Sequence, residues 1–208
     1  TWGNAGGFVD DNNEWVLNSA ENVAAVEYAV GLVKEGLTNT DPTNDTRYAL
    51  QDLFCAGKLA MMIAPNALSS QAGDAGINYG FAAIPNNSGT SVSAGVMDRI
   101  MCFDNGQDDA TMAAITTVVD AFYDDEPYSE WVLMEDFLPA TTAGGEACAA
   151  ADSAMGAWID IVGSAKFYPT AKAEWADVKQ GVIDVEQQAL LGGNVQELLD
   201  NLQSEIAG

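Results

Sequence analysis

The chain has 208 residues, 48% apolar and 18% charged, enough for one full-sized domain or two small ones with a real core. Seven Lys and Arg oppose 31 Asp and Glu; the net charge of −24 repels phosphate backbones and anionic membrane surfaces and excludes nucleic acid as a partner. Histidine is absent, which removes Ser-His-Asp and Cys-His nucleophiles, His-based zinc sites and the usual neutral-pH general base.

Gly6-Gly7-Phe8-Val9 and Trp15-Val16-Leu17 flank the polar cluster Asp10-Asp11-Asn12-Asn13, a pattern that predicts a β-hairpin. The acidic turn lacks the glycine and distal bidentate glutamate of an EF-hand and reads as solvated, so no metal is expected there. Asn18 and Glu21 have capping-box spacing ahead of Val23, Val26, Val30 and Val33, which share one helix face; Gly36 is placed to close that helix. A second helix is predicted over residues 46–56, with Gly57 as its stop. The apolar runs 58–64 and 79–84, each ended by a proline, predict strands buried on both faces. Helix, glycine stop and buried strand in alternation is the rhythm of an α/β sheet.

Residues 85–95 are polar and turn-rich, and 96–103 predict a further strand or crossing segment. Asp108 or Asp109 is placed to cap a helix reaching Tyr123, with Ile115, Val118, Val119 and Phe122 on its apolar face. A short helix is predicted over 128–135, while Gly144-Gly145 and the Ala-rich run after them suit loop or helix equally. Trp175, Val178, Val182 and Val185, then Val195, Leu198, Leu199, Leu202 and Ile206, recur at three and four residues and predict two closing helices. Cys55, Cys102 and Cys148 are odd in number and form no CxxC; they read as buried free thiols, or as one disulfide with a spare thiol. No apolar run approaches the ~20 residues of a membrane span. The start at Thr1-Trp2 suits a mature product or an excised fragment.

Phe54-Cys55-Ala56-Gly57-Lys58-Leu59-Ala60-Met61 resembles the F-x-x-G-K-x-A-M signature of the extracellular solute-binding proteins of ABC importers, in their carbohydrate-binding, maltose-binding-protein-like branch. Other pieces follow in the family's order: Asn4-Ala5-Gly6-Gly7 with the helix after Asn18, Tyr79-Gly80-Phe81 to Pro85, Ser93-Ala94-Gly95, Asp98-Arg99-Ile100-Met101-Cys102-Phe103, Phe137-Leu138-Pro139-Ala140 and Trp175-Ala176-Asp177-Val178. The resemblance implies an α/β, periplasmic-binding-protein-like (type II) C-terminal lobe plus a helical segment of the N-terminal lobe. Residues 1–95 and 150–208 would form the C-terminal lobe, and 96–149 the N-terminal segment. Since family members are roughly twice as long, a missing N-terminal lobe is implied, and with it self-association through the apolar face of the helix ending at Tyr123.

The resemblance further implies capture of a sugar or oligosaccharide in an interlobe cleft, handover to the permease membrane subunits, and an extracytoplasmic, lipid-anchored or periplasmic location. No covalent chemistry, cofactor or metal is implied. A sugar site needs flat aromatic platforms and planar polar groups. Trp175 matches a family position that stacks on sugar, or is a core tryptophan. Asn66 stands where the family often carries an aromatic, and suits a hydrogen-bonding role or a loop cap. Asp98 with Arg99 is a buried ligand contact or an internal salt bridge. Gly95 allows close backbone approach or a plain turn. Trp2 and Tyr168 are further candidate platforms, whereas Trp15, Trp131 and Trp158 are assigned to packing. The alternatives are a glycosidase, for which no carboxylate pair at ~5–9.5 Å is marked, a binding protein for a non-sugar ligand, and a structural surface domain.

Overall fold

Ser19, rather than Asn18, starts the first helix. Its hydroxyl accepts from the backbone N–H of Asn22 at 3.3 Å, whereas the Asn18 amide reaches Asp200 at 2.6 Å. The computed structural model describes residues 1–39 and 41–207, which contain a 3₁₀ turn at Trp2–Asn4 and, in chain order, α1 Ala20–Lys34, α2 Arg47–Cys55, α3 Leu68–Asp74, β1 Ala94–Gly95, α4 Asp109–Phe122, α5 Asp125–Met134, α6 Thr142–Ala151, α7 Ser153–Val162, β2 Lys166–Phe167, α8 Trp175–Leu190 and α9 Val195–Ala207. Gly36 and Gly57 both have φ of +69°, the left-handed conformation that lets α1 and α2 stop where they do.

Two compact units divide the chain. The first comprises Thr1–Leu50, Ala82–Ala94 and Lys166–Gly208. In it α1, α8 and α9 pack together around Val23, Val26, Val30, Val178, Val185, Leu199 and Leu202, all buried and all at the three-and-four spacing of their helices. Each fully buried valine or leucine contributes about 1.5–3 kcal/mol. The hairpin is present in short form, as an antiparallel bridge between Val9 and Trp15. Its turn is closed by the Asp10 carboxylate, which accepts from the N–H groups of Asn12 and Glu14, each at 2.9 Å. The chain leaves this unit after Ala94 and re-enters it at Lys166, whose N–H donates to the Ser93 carbonyl at 3.0 Å.

The second unit, Gln51–Phe81 with Gly95–Ala165, is built on α5, α6 and α7. Tyr128, Val132, Cys148 and Met155 form its core, with Trp131 and Ile159 against it. The Gly144-Gly145 region is helical, and α7 packs on α6. Residues 150–165 therefore stay with 95–149 rather than with the closing helices. Gly144 sits at the crossing of α5 and α6, where a β-carbon would stand 2.8 Å from Tyr128 Cε1.

The strands predicted at 58–64, 79–84 and 96–103 do not form. Among the described residues, the ladders are confined to β1 with β2 and the Val9–Trp15 bridge. Met61 is 87% exposed, Ile63 75% and Val96 85%, so these apolar runs lie in solvent. A strand buried on both faces needs a neighbour on each side and a layer over each face, and no described segment supplies them. Helix α4 has Val118 70% exposed and no fully buried residue along its length, while Phe122 at its C-terminal end packs against Tyr128 and Trp131. The three cysteines are free, but only Cys148 is buried; Cys55 is half-buried and Cys102 exposed, so Cys102 is not the small core residue expected. No described helix is long and apolar enough to cross a membrane.

Candidate functional site

Four short pieces of the first unit bring aromatic rings together. The 3₁₀ turn supplies Trp2, held by the Gly3 carbonyl, which accepts from the N–H groups of Asn87 and Ser88 at 2.8 and 3.1 Å. The hairpin supplies Phe8. Tyr168 follows β2 directly, and a turn then leads to Trp175, the first residue of α8. In that turn the Lys172 N–H donates to the Pro169 carbonyl at 3.0 Å and the Trp175 N–H to the Lys172 carbonyl at 3.2 Å.

The rings are ordered as a stack with an edge-on support. Tyr168 is the middle member, 5.4 Å from Trp2 at an interplanar angle of 29° and 5.1 Å from Trp175 at 24°. Phe8 meets all three edge-on, with centroids 5.6 Å from Trp2, 5.7 Å from Tyr168 and 5.3 Å from Trp175. Such pairs contribute ~0.5–1.5 kcal/mol each beyond burial. Tyr168 thus stacks on both tryptophans. Trp175 also packs against the helical core, which is the core position expected of it as one of its two readings.

Lys172 ties the turn to the hairpin. Its Nζ donates to the Asn13 carbonyl at 2.8 Å and lies 4.8 Å from the Trp15 ring centroid. Asn4 reaches Asn87 and the Glu21 carbonyl and borders the same turn.

The remaining candidates belong to the second unit. Asn66 is half-buried, and its amide nitrogen donates to the Asp136 carbonyl, a contact that anchors the turn after α5. Gly95 is buried in β1. Asp98 and Arg99 are both exposed and make no ion pair or side-chain hydrogen bond among the described residues. The stretch from Val96 to Phe103 lies in solvent, so the pair is exposed rather than buried and forms no internal salt bridge among the described residues. Trp158 stacks on Phe81 at 4.2 Å and Trp131 lies in the core around Val132, both in packing roles. Phe8, at the centre of the cluster, was not among the candidates; its signal is an aromatic directly after Gly6-Gly7, which as sequence reads only as a strand residue.

No family model matches the chain. Binding proteins of Brucella abortus strain 2308 and Brucella suis biovar 1 strain 1330 are each 26% identical to it over 180 residues, which is 85% of this chain and 43% of theirs. Among solved structures it is similar to maltose-bound MalE3 of T. maritima, with a TM-score of 0.77 and 16% identity over 99% of this chain and 55% of that one. It is also similar to the cyclic alpha-maltosyl-1,6-maltose binding protein of Arthrobacter globiformis, with a TM-score of 0.70, 18% identity and coverage of 99% and 52%. The fold is thus that of the periplasmic binding proteins. The chain spans less than half the length of the curated relatives it matches.

Proposed function

We propose that this chain is part of the ligand-binding subunit of an ABC importer that captures a sugar or oligosaccharide, and that Trp2 and Trp175 are its stacking platforms. The observation that carries the reading is the Trp2–Tyr168–Trp175 stack, set on a fold shared with proteins named for binding maltose and maltosyl-maltose. Pyranose rings present apolar C–H faces that suit such rings, and hydroxyls that pair with polar edges. The mechanism is closure of the whole protein's cleft around the ligand, the closed form being what the permease recognises. Location outside the cytoplasmic membrane, with or without a lipid anchor, belongs to the same proposal.

Calorimetric titration with maltose, maltotriose and a wider sugar panel tests it. A protein extended to the length of its relatives binds one of them with micromolar or better affinity and turns over no chromogenic glycoside. The 208-residue chain alone binds weakly or not at all. Glycoside turnover, or an extended protein indifferent to every sugar, overturns the reading. Helix α4, which leaves Met112 and Val118 exposed, is proposed as the face through which copies of this chain associate.

A further inference from the structure

Phe8 meets the other three rings edge-on, and the backbone beside it is held by a side chain outside the stack. Asn22, in the first turn of α1, is 3% exposed. Its amide nitrogen donates to the Gly7 carbonyl at 2.7 Å, the Val16 carbonyl at 2.9 Å and the Leu17 carbonyl at 3.3 Å, and its amide oxygen accepts from the Gly7 N–H at 3.1 Å. Both backbone groups of Gly7 are thus bonded to one side chain, as those of a strand residue are to a neighbouring strand. On the far side of Phe8, its own carbonyl accepts from the Val16 N–H at 3.0 Å. The fit also explains a glycine: a β-carbon on Gly6 would stand 2.2 Å from the Asn22 amide oxygen.

We propose that Asn22 is a positioning residue for the aromatic stack. By holding Gly7 where a strand would otherwise hold it, Asn22 fixes the height and plane of Phe8, and through Phe8 the alignment of Trp2, Tyr168 and Trp175. Its hydrogen bonds all run to backbone groups and not to the rings. The spectroscopic consequence is independent of what the stack binds; only the effect on sugar affinity rests on the function proposed above.

Near-ultraviolet circular dichroism of the 208-residue chain, well below its melting temperature, reads the packing of its aromatic rings, the stack included. Asn22→Ala is expected to remove the stack's share of the aromatic signal with the far-ultraviolet spectrum unchanged. Gly6→Ala, which displaces the same amide oxygen, gives the same loss. Leu199→Ala, a truncation in the helical core of the same unit, serves as the control for destabilisation alone and is expected to keep most of the wild-type aromatic spectrum. If Asn22→Ala and Gly6→Ala leave the signal intact, or reduce it no further than Leu199→Ala does, the proposal is overturned. Maltose and maltotriose titrations of the protein extended to the length of its relatives form a second arm, where wild-type binding weakened about tenfold by Asn22→Ala supports the link to function. Extended wild-type protein that binds neither sugar counts against the platform reading, while the dichroism still decides the role of Asn22.

Discussion

Gly181 of α8 and Leu202 of α9 pass so close that a β-carbon on the glycine would stand 2.3 Å from the leucine Cδ1. Leu202 is buried in the core and has little room to turn away. Gly181→Ala therefore sets an overpacking cost of about 1–3 kcal/mol against a helix-propensity gain of up to ~1 kcal/mol. A net loss in urea unfolding is expected. Leu202→Ala alone leaves a cavity at a cost of ~2–5 kcal/mol, and the double variant loses less than the sum of the two. Strict additivity in that cycle would show that the contact is not made.

Lys172 holds the turn between Tyr168 and Trp175 onto the hairpin through the Asn13 carbonyl and the Trp15 face. Lys172→Met keeps the alkyl stem and loses the charge, at a cost of ~0.5–1 kcal/mol for the ring contact. Lys172→Arg restores most of it. Equal unfolding midpoints for wild type and Lys172→Met would contradict the tie.

Acid acts on two turns with a defined sign. The Asp10 carboxyl is held below the usual range chiefly by the backbone N–H of Glu14, and Asp108 by the backbone N–H of Thr111, which it caps at the start of α4. A depressed folded value means stability present above about pH 4 and lost as pH falls through that value. Asp10→Asn and Asp108→Asn should flatten the acid limb of a stability–pH profile, and an unchanged limb in both would refute the assignment.

The thiols differ in access. Cys102 is exposed and should react first with an aromatic disulfide reagent, followed by Cys55. Burial pushes the Cys148 thiol up, and its Sγ points to the Ser129 carbonyl, so it should react only on unfolding. Native labelling of all three at one rate would contradict the core around Val132.

The exposed side of α4 gives the test of association. Val118→Asp should abolish any concentration-dependent mass increase seen by light scattering in the wild type. A wild type that stays monomeric at every concentration removes the proposed face.

What the sequence made legible was local. Val23, Val26 and Val30 announce α1 because the period of a helix is written within three turns, and Gly36 and Gly57 mark stops that need a left-handed residue. The cap slipped by one residue because Asn18 and Ser19 are both competent, and only Asp200 decides which side chain is free to cap. The runs around Met61 and Ile63 were misleading, since composition records a tolerance for burial and not the presence of a partner strand. Trp2, Tyr168 and Trp175 were picked singly, but their stacking depends on contacts across nearly the whole chain. Phe8 and Asn22 escaped for the same reason.

The bare methionines and isoleucines around residues 61–63 and 97–101 carry a practical corollary. At neutral pH a charge of −24 keeps such molecules apart despite their sticky flanks. Close to the isoelectric point of about 4.1 that colloidal protection vanishes. The same side chains, harmless in a neutral buffer, then become the seeds of precipitation in an acidic one.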